Sequence, residues 1–84
     1  MLHFMNQNEV HAVACIDCPH CGKEIVRGIV RENRRGFNSD VKRSYVCKHC
    51  YRMFTAPDRS TQVRIINRAF LDANYGFDAL TLID

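Results

Sequence analysis

Four of the chain's five cysteines stand in two matched pairs, Cys18-Pro19-His20-Cys21-Gly22 and Cys47-Lys48-His49-Cys50, with the 25 residues 22–46 between them. Thiolates at this spacing suit a tetrahedral metal. Each Cys-x-x-Cys turn puts two sulfurs on one side of an ion, and two such turns close the site. Zinc on Cys18, Cys21, Cys47 and Cys50 is therefore expected. Gly22 can take the positive φ that such a turn needs, and Pro19 fixes φ within it. Four protein ligands leave no position for water or substrate, so the zinc is expected to be single and structural, and the chain is not expected to be an enzyme. A thioredoxin-like redox site would need one Cys-x-x-Cys opening a helix beside parallel strands, a setting this sequence does not offer. Cys15 makes a rival pair with Cys18, which would leave Cys21 free. The Pro and Gly around the 18/21 pair favour that pair, and Cys15 then reads as a half-buried strand residue. His20 and His49 occupy matching third positions in the two turns and read as surface or anion contacts, whereas His3 and His11 carry no pattern.

Those turns need elements to hold them. With 84 residues the chain is expected to be a single domain, near the size below which a hydrophobic core needs a staple. An odd number of cysteines cannot pair off within one chain, and residues 1–7 show neither a basic nor an apolar leader pattern, so reduced thiols in the cytoplasm are expected. The longest apolar run, residues 12–16, is far too short for a membrane span. Residues 9–16 read as a strand entering the first turn. Residues 24–31 are rich in β-branched side chains and read as a second strand, with Arg27 and Arg31 on one face. Residues 33–40 gather turn formers and read as an exposed hairpin tip carrying Arg34, Arg35 and Phe37. Residues 41–47 then return as a strand to the second turn. After Pro57, Ser60 is a candidate N-cap for a helix over 60–75, with Val63, Ile66, Phe70 and Ala73 on one face and Gly76 after its end. Arg68 is placed to pair with Asp72, and a short tail occupies 76–84. The fold class expected is a small zinc-stapled α+β protein, antiparallel β-hairpins around a four-cysteine zinc followed by one C-terminal helix.

The net charge of +3 is unevenly laid out. Residues 23–59 hold ten basic side chains against four acidic ones, while residues 1–22 and 60–84 are both slightly acidic. A basic middle between less basic ends is the electrostatic footprint of a polyanion-binding surface. A zinc with four thiolates carries −2, so such a surface would act locally rather than through net charge.

Cys-Pro-x-Cys-Gly at 18–22, with Tyr45-Val46-Cys47-Lys48-His49-Cys50-Tyr51-Arg52-Met53-Phe54-Thr55, resembles a zinc ribbon. The second half is similar to N-terminal zinc ribbons of insertion-sequence transposases and, more loosely, to Ogr/Delta-type phage transcription activators. The resemblance covers about residues 13–56. It implies an antiparallel ribbon over 9–56, a structural zinc and DNA binding; with no recombinase domain in these residues, transposition itself is not expected. Three classes of function differ in the residues they would use. A nucleic-acid-binding regulator, with DNA preferred to RNA through the resemblance and a role in transcription, would use Arg27, Arg31, Arg34, Arg35, Lys42, Arg43, Lys48 and Arg52 on phosphates, with Phe37 stacking or wedging at the tip. An adaptor docking on RNA polymerase or another large complex would instead use surplus apolar side chains among Val63, Ile65, Ile66, Ala69, Phe70 and Leu71. A nuclease would need an open metal, which four thiolates do not leave. Neither a membrane nor a small-molecule substrate is expected as a partner.

Overall fold

A computed structural model describes residues 9–31 and 37–83. Arg34, Arg35 and His3 lie outside them. The described chain runs β1 (Val10–Asp17), β2 (Glu24–Val30), β3 (Lys42–Val46), β4 (Met53–Pro57), a 3₁₀ turn at Asp58–Ser60, β5 (Gln62–Asn67), α1 (Arg68–Asn74), a second 3₁₀ turn at Phe77–Ala79, and β6 (Leu82–Ile83). The strands form a four-stranded sheet in the order β5-β1-β2-β6 and a two-stranded sheet of β3 and β4.

Each Cys-x-x-Cys turn closes its own antiparallel hairpin, β1 with β2 and β3 with β4. This corrects the expectation that residues 24–31 and 41–47 form one long hairpin. Closing a few residues costs less chain entropy than closing a loop across the basic middle, so each strand takes the partner its own turn delivers. The segment between β2 and β3 is then a crossover between sheets. Phe37, expected at an exposed tip, is 8% exposed and packs with Ala14 and Val30.

The second correction concerns residues 60–75. Only Arg68–Asn74 is helical; residues 62–67 are strand β5, pairing with β1 from Val10↔Asn67 to Cys15↔Gln62. Val63, Ile65 and Ile66 are β-branched and stiff at χ1, which favours the sheet even where their spacing also fits a helix. The helix cap is Asn67, whose Oδ1 accepts from Phe70 N at 2.9 Å, and not Ser60. Gly76 ends the helix as expected, at φ 77, donating to the carbonyls of Leu71 and Asp72. Arg68 reaches Asp72 at 3.9 Å and Glu9 at 3.8 Å.

The four-stranded sheet is covered on both faces. Val13, Cys15 and Ile29 pack on one side against Leu71 of α1, with Ile66, Tyr75, Phe77 and Leu80 around them. On the other, Ile16 and Ile25 pack against Phe54 and Tyr45 of the small sheet, and Ala14 and Val30 against Phe37. A bulge makes this division work. The register steps from Ala14↔Gly28 to Cys15↔Val26, leaving Arg27 as an extra residue. Val26 and Ile29 therefore share one face although they are three residues apart, and Arg27 turns toward the small sheet. The bulge interrupts the alternation that would have put Arg27 and Arg31 on one face. Gly28 is required beside it, because a Cβ there would lie 2.4 Å from the carbonyl oxygen of Thr81, where the tail enters to pair β6 with β2. No described helix is long and apolar enough to cross a membrane.

Candidate metal centre

The two cysteine turns repeat one another bond for bond. In the first, Gly22 N donates to Cys18 O at 2.8 Å and Cys18 N to Lys23 O at 2.9 Å; in the second, Tyr51 N donates to Cys47 O at 2.8 Å and Cys47 N to Arg52 O at 3.1 Å. Each turn also aims an amide at its leading sulfur, His20 N at Cys18 Sγ and His49 N at Cys47 Sγ, both at 3.4 Å. Such amides stabilise thiolate over thiol.

The turns meet sulfur to sulfur. The Sγ atoms of Cys18, Cys21, Cys47 and Cys50 all lie within 4.8 Å of one another, with Cys18–Cys50 at 3.7 Å and Cys21–Cys47 at 3.6 Å. Four thiolates at about 2.3 Å from a tetrahedral ion stand about 3.8 Å apart, so the quartet fits a metal of that kind. Cys18 and Cys47 are fully buried beside Ile16, Ile25 and Phe54, Cys50 is half-buried, and Cys21 faces solvent. The four could thus hold a metal ion where the two sheets meet. Two of the thiols are shifted in opposite directions by their surroundings. Burial pushes the Cys47 thiol up, but the backbone N–H groups of Cys50 and His49, with the neighbouring thiols, outweigh it and bring it down to about 7. At Cys50 the Arg52 amide pulls down, yet burial and the other three thiols prevail and raise it to about 11.

Cys15 takes no part. It is 1% exposed in the core under α1, more deeply set than the half-buried position expected of it, and burial first, then the Glu24 charge, pushes its thiol up to about 12. Such a cysteine is an inert apolar side chain. His20 is exposed and donates from Nε2 to the Met53 carbonyl at 3.3 Å, tying the first turn to β4; His49 is exposed in the second turn.

The basic residues are dispersed. Arg27 donates to Asp58 Oδ1 at 2.9 Å and Thr61 Oγ1 at 2.7 Å, lies over the Phe37 and Tyr45 rings, and has a side chain only 11% exposed. It is a structural clamp between the sheets. Neither Arg27 nor Phe37 stands on the surface where the sequence reading put it. Arg43 joins the same carboxylate at 3.3 Å while remaining half exposed. Lys48 donates to the Asn74 carbonyl and lies over the Tyr75 ring, joining the second turn to the end of α1. Arg31 is exposed, and Lys42 and Arg52 are exposed with no ion-pair partner among the described residues. Sequence reasoning missed Asp58, which is 5% exposed and anchors both arginines; a lone Asp after Pro57 gives no signal of that.

Compared with protein-family models, curated proteins and solved structures, the chain matches none.

Proposed function

We propose that the chain is a zinc-ribbon nucleic-acid-binding protein, DNA rather than RNA, regulating transcription. The observation that carries this reading is the charge of the β3–β4 hairpin. From Lys42 to Pro57 it bears Lys42, Arg43, Lys48 and Arg52 and no acidic side chain, and it ends in the metal turn that makes it rigid. Basic side chains on a rigid ribbon gain affinity for phosphate without sequence information. Zinc is the metal proposed, because a closed set of four thiolates in tetrahedral array is its structural site. The preference for DNA and for transcription rests on the resemblance to transposase and phage-activator ribbons. The test is the affinity of zinc-loaded protein for mixed-sequence duplex DNA across a salt titration. Binding that weakens steeply with salt is expected, and no binding at low salt, to the duplex or to its separated strands, overturns the proposal.

A second reading, an adaptor docking on RNA polymerase or another large complex, is favoured by one observation. Ile65 on the outer strand β5 is 64% exposed and Phe70 on α1 is 51% exposed, with Val63 beside them at 38%. An apolar edge strand of this kind is a template for strand addition. Capture of a protein partner that survives high salt and is lost in Ile65→Lys would favour it over the first reading.

A further inference from the structure

Among the described residues, Tyr51 is the one non-glycine with a positive φ, at 60°. The matching position in the first turn is Gly22, at φ 77, and the two make the same backbone hydrogen bond to the leading cysteine. The turn therefore needs a left-handed residue there, and glycine supplies it without steric cost. A side chain with a Cβ costs about 1–2 kcal/mol in that conformation. No side-chain contact of Tyr51 among the described residues recovers this cost. Tyr51 is 80% exposed, and neither its ring nor its hydroxyl has a partner among the described residues. Strain retained at an exposed position points to a use outside the fold.

The surroundings say what that use is. The last cross-strand pair before the turn is Val46 with Met53, 59% and 67% exposed, so the end of the hairpin is apolar as well as aromatic. Arg52 follows Tyr51 directly. Lys42 lies four residues back from Val46 along β3, about 13 Å away and at an even spacing that puts it on the same strand face. An exposed ring flanked by apolar side chains, with one cation next to it, a second further along the strand and no carboxylate on its hairpin, matches a nucleobase attached to a phosphate chain. We infer that Tyr51 is a base-stacking anchor and that the hairpin end takes an unpaired nucleotide, its base on the Tyr51 ring, its neighbouring phosphate at Arg52 and a phosphate further along the strand at Lys42. An unpaired base is required because a duplex keeps its base faces within the stack. This inference rests on the nucleic-acid reading above and narrows it to single-stranded or locally opened substrate.

The experiment compares zinc-loaded wild type, Tyr51→Gly and Tyr51→Phe in three measurements: thermal midpoint, affinity for a mixed-sequence single-stranded DNA oligonucleotide, and affinity for the corresponding duplex, all at one low salt concentration. Tyr51→Gly is expected to melt at the same temperature or higher, because glycine relieves the left-handed strain. It should lose about tenfold or more in single-strand affinity while duplex affinity stays unchanged. Tyr51→Phe keeps the ring and is expected to bind the single strand like wild type. Unaltered single-strand binding by Tyr51→Gly would overturn the inference, as would a lowered midpoint, which would show the ring stabilising the fold. Wild type that binds duplex and not single strand removes the inference and leaves the broader reading standing. Wild type that binds neither removes both.

Discussion

A buried arginine is costly unless everything around it is arranged for it, and Arg27 shows such an arrangement. Its guanidinium meets a carboxylate and a hydroxyl, Asp58 and Thr61, and lies over two aromatic rings, Phe37 and Tyr45. Those partners come from the small sheet, the 3₁₀ turn after it and the crossover, so one side chain holds three parts of the chain to β2. Arg27→Ala would leave the Asp58 carboxylate buried, with only the half-exposed Arg43 beside it. A loss of about 3 kcal/mol is expected, read as a drop in urea midpoint with zinc bound. Arg27→Lys should recover only part of it, since one ammonium cannot reproduce a planar fork lying between two rings. A midpoint within experimental error of wild type for Arg27→Ala would show that the clamp contributes nothing. At this scale the thiol quartet was legible, because ligand spacing is a local property, and Cys18, Cys21, Cys47 and Cys50 converge as read. Arg27 and Phe37 were not legible, because a basic residue in a strand and an aromatic among turn formers are surface features in every local pattern. Only a tertiary partner, Asp58, reveals them as interior.

Elements were legible where period and turn chemistry agreed. The strands flanking the first cysteine turn, the strand entering the second and the glycine stop at Gly76 follow from local signals, whereas β4, which leaves the second turn, has no reading of its own in the sequence. Residues 62–67 did not, because Val63, Ile66 and Phe70 satisfy a helical spacing that pairing with β1 overrides. The bulge at Arg27 was also hidden, since one extra residue in β2 is visible only against the register of β1. Gly28, beside it, gives a prediction at this scale. A methyl group there would stand 2.4 Å from Thr81 O, the acceptor for Ile29 N at 2.8 Å. Gly28→Ala is therefore expected to expel the tail and break the β2–β6 pairing at a cost of about 1–3 kcal/mol. Amide hydrogen exchange would report it: Ile29 and Arg31, which donate to Thr81 and Ile83, should lose protection, whereas the β1–β5 ladder keeps its own. Protection retained at Ile29 would show that the close approach is not tight.

For the molecule as a whole, the two sheets meet along the cluster of Ile16, Ile25, Phe54 and Tyr45, with the cysteine quartet at its end. A two-stranded sheet is marginal alone, so β3–β4 depends on that cluster, on the Arg27 clamp and on the proposed zinc. Removing zinc from the loaded protein with a chelator is expected to lower the thermal midpoint sharply, with the near-ultraviolet signal of Tyr45, packed on Phe54, lost first and restored on adding zinc back. The pH dependence has a definite sign. Metal binds thiolates, so ligand sulfurs in the loaded fold stay deprotonated at pH values where an unfolded chain carries thiols. Their pKa values are thus lowered by folding with metal, and the stability so gained is present above the unfolded cysteine range and lost as pH falls. At neutral pH the ion has protons to displace, since the Cys50 thiol, raised to about 11, keeps its own and the Cys47 thiol, lowered to about 7, keeps part. Zinc affinity should therefore fall about tenfold or more per pH unit below neutrality, measured by competition with a chromophoric chelator. A zinc affinity that does not change with pH, or a melting midpoint indifferent to the chelator, would mean that the four thiols do not bind metal and that packing alone joins the sheets.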